Sequence, residues 1–144
     1  DFDGNGTLNA ADIDALTAAV RGGNTSASFD LNKDGLVNGV DRVSWVESFK
    51  RTYFGDANLD GQFDTADFVL VFQAGQYEDA AANNSTWATG DWDGDGEFSS
   101  ADFVTSFQAG GYERGPRAAV SAVPEPTGAV LCLIGLLCLT ARRR

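Results

Sequence analysis

Aspartate and asparagine recur at fixed positions in four twelve-residue segments of the chain. The segments start at Asp1, Asp30, Asp56 and Asp91 and align without gaps as DFDGNGTLNAAD, DLNKDGLVNGVD, DANLDGQFDTAD and DWDGDGEFSSAD. Each has Asp at position 1, Asp or Asn at positions 3 and 5, Gly at position 6, an apolar residue at position 8 and Asp at position 12. Because glycine permits a sharp turn at position 6, the oxygen atoms on either side of it can converge on one hard cation.

The spacing of these oxygen donors is that of a calcium loop. Calcium takes six to eight oxygen ligands at about 2.3–2.6 Å, and a loop of this length supplies them from positions 1, 3, 5, 9 and 12 and from the position-7 carbonyl. Magnesium is the less suitable ion, since it needs a smaller octahedral site and retains its waters. The sequence therefore predicts up to four bound Ca²⁺ ions.

The predicted ligands occupy the same six positions in every segment, with the position-7 residue contributing its carbonyl. In the first and second loops they are Asp1, Asp3, Asn5, Thr7, Asn9 and Asp12, and Asp30, Asn32, Asp34, Leu36, Asn38 and Asp41. In the third and fourth loops they are Asp56, Asn58, Asp60, Gln62, Asp64 and Asp67, and Asp91, Asp93, Asp95, Glu97, Ser99 and Asp102.

Composition supports a metal-stabilised protein. Fourteen of the 21 acidic residues fall at predicted ligand positions, a concentration that ordinary Asp-Gly turns or a merely solubilising charge would not produce. The net charge of −11 argues against nucleic acid as a partner. There is no histidine, and Cys132 and Cys138 both lie in an apolar tail. A small acidic domain without a disulfide framework needs another source of stability, for which a bound cation is suited.

Apolar periodicity predicts one helix after each loop. After the first two loops the apolar stripes are Ile13/Leu16/Val20, ended by Gly22-Gly23, and Val43/Val46/Phe49/Tyr53, ended by Gly55. After the third and fourth loops they are Phe68/Val71/Phe72 and Phe103/Phe107, with Gly75 and Gly110 as helix C-caps. No helical pattern precedes Asp30 or Asp91, so the units consist of a loop followed by a helix. The predicted fold class is mainly α.

These loop–helix units resemble dockerin type I repeats, the F-hand variant of the EF-hand that lacks the entering helix. The resemblance covers about residues 1–113, and Asp at position 12 suits the dockerin pattern better than the common EF-hand one. It implies two dockerin-like pairs, at 1–54 and 55–115, each folded face to face around its position-8 residues. Those residues are Leu8 with Val37, and Phe63 with Phe98.

Dockerins bind cohesin domains, so a cohesin-like protein is one expected partner. In many type I dockerins a Ser-Thr pair at positions 10 and 11 contacts the cohesin. This chain has Ala10-Ala11, Gly39-Val40, Thr65-Ala66 and Ser100-Ala101 there, and none of them matches. Two functions therefore stay open beside a switching calcium sensor, which ranks last. One is a calcium-stabilised interaction or spacer module, and the other is a cohesin-binding dockerin attached to an upstream carbohydrate-active enzyme.

The C-terminus carries a separate pattern. A Pro-containing linker at 116–127 includes Pro124, Glu125 and Pro126, and an apolar run followed by three arginines occupies 128–144. The apolar run predicts a helix too short for a permanent membrane span. The order of these parts resembles the PEP-CTERM sorting signal of Gram-negative bacteria, including planctomycetes. It implies export, an exosortase-type processing enzyme, transient anchoring in the membrane, and delivery to the cell envelope or exopolysaccharide.

No constellation in the sequence predicts catalysis. The carboxylates are assigned to metal, and no other group supplies an acid, base or nucleophile, so the chain is not expected to be an enzyme. An upstream catalytic domain stays open, because the chain begins on the first ligand of the first loop and is expected to be part of a longer protein. Trp45, Trp87 and Trp92 fit either a buried core or a carbohydrate-binding platform, and the core is favoured.

Overall fold

The computed structural model describes residues 1–117, and these residues form a helical protein. Helix α1 spans Ala10–Arg21, α2 spans Gly39–Val43 and continues as a π-helical segment over Ser44–Lys50, α3 spans Thr65–Ala74, and α4 spans Ser100–Ala109. A short 3₁₀ turn covers Trp87–Thr89. Within residues 1–117 the only β pairing consists of two isolated bridges, so the predicted mainly α class is confirmed.

The predicted sorting motif and apolar C-terminal helix lie outside the described residues. For that reason the structure does not test Pro124, Glu125, Pro126 or the segment 128–144. Over residues 1–117, no helix combines the length and the apolar content that crossing a bilayer requires.

Position 9 of each loop is the N-cap of the main helix that follows it. The position-9 side chain accepts a hydrogen bond from the backbone N–H two residues later, and the position-12 carboxylate accepts one from the position-9 N–H. This reciprocal arrangement is a capping box, and it satisfies backbone donors that the first helical turn leaves free. The four N-caps are Asn9, Asn38, Asp64 and Ser99.

Glycines end three of the four helices, as predicted. Gly22 is the C-cap of α1, while Gly75 and Gly110 end α3 and α4 in the left-handed conformation. The expected extension of the second helix to Gly55 is wrong. That helix ends at Lys50, because Arg51 takes a left-handed conformation with φ 63° and donates its N–H to the Val46 carbonyl.

The third and fourth units pair with near two-fold symmetry. Position-8 Phe63 bridges to Tyr112, which follows α4, and position-8 Phe98 bridges to Tyr77, which follows α3. Matching hydrogen bonds of 2.8 Å run to the Phe63 and Phe98 carbonyls from the N–H groups after those tyrosines. Both phenylalanines are buried, and their ring centroids lie 5.9 and 6.0 Å from that of Trp92. The position-8 rings therefore meet around a shared tryptophan.

The first and second units contact each other differently. No bridge of the kind just described joins their loops in residues 1–54. The rings of Phe2 and Phe29 pack against each other instead, tilted by 34° with centroids 4.7 Å apart, and Leu8 packs half-buried against the core. The predicted pairing of Leu8 with Val37 stays a prediction.

A single apolar core includes both pairs. Ile13, Leu16 and Val46 from the first pair pack in one cluster with residues of the second pair. The three tryptophans in this cluster are at most 1% exposed, which confirms the core interpretation and excludes a carbohydrate platform built on them. Residues 1–54 and 55–115 therefore pack on each other.

Two glycines fit this core only because they lack a side chain. Gly55 and Gly90 each precede position 1 of a loop, with φ of +102° and +116°, and a Cβ at either would overlap the ring of that loop's position-8 phenylalanine. Gly75 also has positive φ, at +71°, but has nothing within 4 Å of its Cβ position. Gly75 therefore provides a control for the conformational cost alone.

We predict that Gly55→Ala destabilises the protein more than Gly75→Ala. Gly75→Ala should cost about 1–2 kcal/mol for the left-handed backbone, whereas Gly55→Ala adds overlap with the fully buried Phe63 ring and should cost about 3 kcal/mol or more. Urea unfolding in the presence of calcium measures both. Equal costs would contradict the packing described for Gly55.

Candidate metal centre

The position-1 carboxylates organise the backbone of each loop. In the second loop, Asp30 accepts hydrogen bonds from the N–H of Asp34 at 3.1 Å and of Gly35 at 2.9 Å. Asp1 and Asp56 accept the corresponding pairs in the first and third loops. In the fourth loop the donors to Asp91 are Gly94 and Gly96, at 2.7 and 3.1 Å. The chain is thereby wrapped around the first predicted ligand of every loop.

Positions 3 and 5 form consecutive turns in which each side chain accepts the N–H two residues later. The acceptors at position 3 are Asp3, Asn32, Asn58 and Asp93, at 2.8–3.0 Å. Those at position 5 are Asn5, Asp34, Asp60 and Asp95, and their donors are the position-7 residues Thr7, Leu36, Gln62 and Glu97, at 2.8–2.9 Å. These turns hold the two side chains next to each other.

In three loops an asparagine amide relieves the repulsion between positions 3 and 5. The Asn5 amide donates to Asp3 at 2.7 Å, and Asn32 and Asn58 donate to the position-5 carboxylates of their own loops at 2.9 and 3.1 Å. The fourth loop has no such amide, because Asp93 and Asp95 occupy both positions. It therefore concentrates more negative charge between positions 3 and 5 than the others do.

The position-12 carboxylates are buried in all four loops. Each accepts the position-2 N–H on one oxygen and the position-9 N–H on the other, as in Asp41, which binds Leu31 at 2.7 Å and Asn38 at 2.8 Å. The four residues are Asp12, Asp41, Asp67 and Asp102, with at most 1% exposure. This carboxylate joins the start of the loop to the start of the helix, a structural role that the sequence reasoning had not assigned to it.

The structure brings three carboxylates together in two of the loops. Oxygen atoms of Asp1, Asp3 and Asp12 lie within 4.8 Å of one another, and so do those of Asp91, Asp93 and Asp95. The second and third loops, both within the described residues, form no such three-carboxylate group, since position 3 is an asparagine there. In the second and third loops, positions 3 and 5 place an amide oxygen next to a carboxylate, as the hydrogen bonds from Asn32 to Asp34 and from Asn58 to Asp60 indicate.

Burial makes the negative charge of the third and fourth loops costly. Desolvation raises the pKa of Asp56 to about 6, although hydrogen bonds from Thr52 and Gly61 oppose the shift. Desolvation likewise raises the pKa of Asp102 to about 6; backbone hydrogen bonds from Asp93 and Ser99 oppose this shift, and the negative charge of Asp93 adds to it. The pKa values of Asp67, Asp91 and Asp93 are raised for the same first reason. A cation in these loops would compensate the charge that the backbone donors leave unbalanced.

The chemistry of the donor set fits calcium. Every donor at a predicted ligand position is an oxygen, from a carboxylate, an amide, the Ser99 hydroxyl or a position-7 backbone carbonyl, and the chain has no histidine. Hard oxygen donors in a flexible loop suit Ca²⁺, whereas imidazole and thiolate donors would favour transition metals. The geometry is therefore compatible with the predicted ion, and the assignment of the individual ligands stays a prediction.

Arg42 is a buried residue at this centre that the sequence reasoning missed. It is 5% exposed and donates to the backbone carbonyls of Trp92, at 3.0 Å, and Asp93 in the fourth loop. Burial lowers its pKa, while nearby acids of the fourth loop oppose that shift. One signal in the sequence was available: Arg42 is three and four residues before the buried Trp45 and Val46, so it lies on the apolar stripe of its helix.

Comparison with known proteins gives no relative for this chain. Neither a protein-family model, nor a curated protein, nor a solved structure matches it. The resemblances to dockerin repeats and to the PEP-CTERM signal therefore depend on the motif residues alone.

We predict that Asp102→Ala destabilises the protein far more than Ser99→Ala. Asp102 accepts the N–H groups of Trp92, Asp93 and Ser99, and leaving these donors unpaired should cost about 4 kcal/mol. Ser99 caps α4 through one bond of 3.1 Å to the Ala101 N–H, so its loss should cost about 1 kcal/mol. Thermal and urea unfolding with saturating calcium measure both variants. A smaller effect for Asp102→Ala would contradict the buried clamp.

Proposed function

We propose that this chain is a calcium-binding, dockerin-like interaction or spacer module of an exported, envelope-associated bacterial protein. The observation that carries the proposal is the common geometry of the four loops. All four hold oxygen donors at positions 1, 3, 5 and 12, and in all four the position-12 carboxylate accepts the N–H groups of positions 2 and 9. A helix follows each loop directly. The segment itself is proposed to be non-catalytic.

The proposed mechanism couples metal binding to folding. Calcium supplies the positive charge that the clustered carboxylates need, and it binds the folded loops in preference to the unfolded chain. Such binding stabilises the native state by mass action. Extracellular calcium modules have dissociation constants around 10⁻⁴–10⁻³ M, so even weak sites would be filled at the millimolar calcium typical of the cell envelope. The protein would then be a stiff, permanently loaded module rather than a switching sensor.

Removing calcium tests this function directly. We expect EDTA to abolish most of the helical circular dichroism, because the short helices depend on the loops that precede them, and we expect added CaCl₂ to restore it. MgCl₂ at the same concentration should restore less, since magnesium is poorly suited to these loops. NaCl at matched ionic strength controls for charge screening. A calcium-free protein with an undiminished helical signal would refute the proposal.

A second function, docking of a cohesin-like protein, is favoured by an exposed apolar face. Val69 and Phe72 on α3 and the corresponding Val104 and Phe107 on α4 are each about half exposed. Apolar side chains grouped on neighbouring helices are typical of a protein-binding surface. In this second hypothesis the chain is a cohesin-binding dockerin attached to an upstream carbohydrate-active enzyme.

A cohesin panel distinguishes the second function from the first. If the face docks a cohesin, calcium-dependent binding to at least one member should fall at least tenfold in the double variant Val69→Lys/Val104→Lys. Val43→Lys, at an exposed position of α2 outside loop positions 10 and 11, is the matched control and should leave binding unchanged. If no member of the panel binds in a calcium-dependent way, the result would count against the cohesin-docking hypothesis and would favour the spacer function.

The export part of the proposal depends on residues outside the described range. Pro124, Glu125 and Pro126 followed by the apolar run and the terminal arginines are proposed to direct processing by an exosortase-type enzyme. Before processing, the apolar segment would hold the protein transiently in the membrane. We expect the protein released from the envelope to have an intact mass consistent with cleavage near residues 124–127. A mass that includes the whole tail would refute processing.

A further inference from the structure

Arg42 fixes a positive charge between the first pair of units and the fourth loop. Besides its bonds to the Trp92 and Asp93 carbonyls, its Nε–H donates to Thr17 Oγ1 of α1 at 3.0 Å. The guanidinium is thus held on both sides and nearly removed from solvent. A buried charge in this position acts on the loop with little screening.

Arg21, the last residue of α1, brings a second positive charge to the same loop. Its Nη1 lies 3.9 Å from Asp91 Oδ2, so it faces the carboxylate at position 1. A Cβ on Gly96 would overlap this Nη1, and a Cβ on Gly94 would lie 2.6 Å from Nη1 of Arg42. Both glycines of the fourth loop therefore allow a close approach of arginine.

The other three loops lack this contact. The position-6 glycines Gly6, Gly35 and Gly61 have nothing within 4 Å of the Cβ position, and the same holds for Gly4. All of these loops lie within residues 1–117, so the comparison covers every predicted site. Arg117 contacts the third loop through its backbone N–H, which donates to the Gly61 carbonyl at 3.2 Å, while its guanidinium binds the Thr52 carbonyl and Glu47. Close approach of an arginine side chain to the loop glycines is therefore seen in the fourth loop and not in the other three.

The third loop is the natural reference for the effect of these charges. The third and fourth loops each have four carboxylates at predicted ligand positions, and they lead into the closely similar helices TADFVLVFQA and SADFVTSFQA. Their ligands differ at positions 3 and 9, where the third loop has Asn58 and Asp64 and the fourth has Asp93 and Ser99, so the number of carboxylates is the same. The fourth loop differs further in the two arginine side chains that face it. A cation entering the fourth loop is repelled by both arginines and competes with Arg21 for Asp91.

We propose that Arg21 and Arg42 lower the calcium affinity of the fourth loop below that of the third, so that the fourth loop is the last of this pair to be filled. The inference rests on the proposed calcium binding and adds an order of loading to it. Since both arginines belong to the first two units, the packing of those units on the second pair sets the affinity of the fourth loop.

Glycine amides provide one probe for each loop. The N–H groups of Gly6, Gly35, Gly61 and Gly96 donate to the position-1 carboxylates at 2.8, 2.9, 2.8 and 3.1 Å. A calcium titration of the ¹⁵N-labelled protein followed by two-dimensional NMR therefore reports the four midpoints separately. At low ionic strength we expect the Gly96 midpoint to lie at a higher calcium concentration than the Gly61 midpoint.

The variant Arg21→Gln isolates the charge effect without disturbing the buried Arg42. The Arg21 side chain is 43% exposed, so the substitution should be tolerated. We expect the Gly96 midpoint to fall by about fivefold at low salt, the order of effect of one charge on a divalent ion several ångströms away, while the Gly61 midpoint stays constant. Arg21→Lys retains the charge and should resemble the unmodified protein. High salt should reduce the shift, because Arg21 is partly exposed.

The possible results separate this inference from the function on which it rests. A Gly96 midpoint at or below that of Gly61, or one that Arg21→Gln leaves unchanged, would overturn the proposed order of loading while calcium binding stands. If none of the four glycine amides shifted with calcium, calcium binding itself would be refuted, and the order of loading with it.

Discussion

The buried carboxylate at position 12 is the interaction on which each unit of this protein depends. One oxygen accepts the N–H at the beginning of the loop and the other accepts the N–H at the helix N-cap, so a single side chain closes the loop and starts the helix. Helices α1, α3 and α4 are 10–12 residues long, a length at which an isolated helix is marginal in water. Their stability therefore comes from this clamp, from the core, and, in the proposed function, from calcium.

Each loop must offset the repulsion among its closely spaced carboxylates, and the four loops do this in different ways. Backbone N–H groups bind the carboxylates in all four loops. Asparagine amides at position 3 or 5 relieve the first three, while Arg21 and Arg42 face the fourth. The raised pKa values of Asp56 and Asp102 indicate that these devices leave charge unbalanced in the metal-free protein. In the proposed function, a bound Ca²⁺ would balance this charge.

The shared core of the two pairs limits their movement relative to each other. Phe63 and Phe98 meet at Trp92, and this aromatic cluster continues into the core that Ile13, Leu16 and Trp45 form with it. A shared core makes independent movement of the pairs costly, because apolar surface would be exposed to water. In the proposed function, such a body would serve as a stiff spacer that exposes Val69 and Phe72 of α3 and Val104 and Phe107 of α4. A switching sensor that opens a groove would have to expose part of this shared core, so the shared core argues against that function.

Local chemistry is what the sequence determined by itself. The loop positions, the helix that follows each loop, and the C-caps Gly75 and Gly110 were all predictable, because capping boxes, turns and left-handed glycines involve residues a few positions apart. Tertiary structure alone decided the contacts between distant residues. These include the bridges that Tyr112 and Tyr77 form to Phe63 and Phe98, and the close packing of Gly55 against the Phe63 ring. They also include the hydrogen bonds that Arg42 donates to carbonyls of the fourth loop. Such contacts depend on how the four units pack, and no periodicity or spacing within one unit specifies that packing.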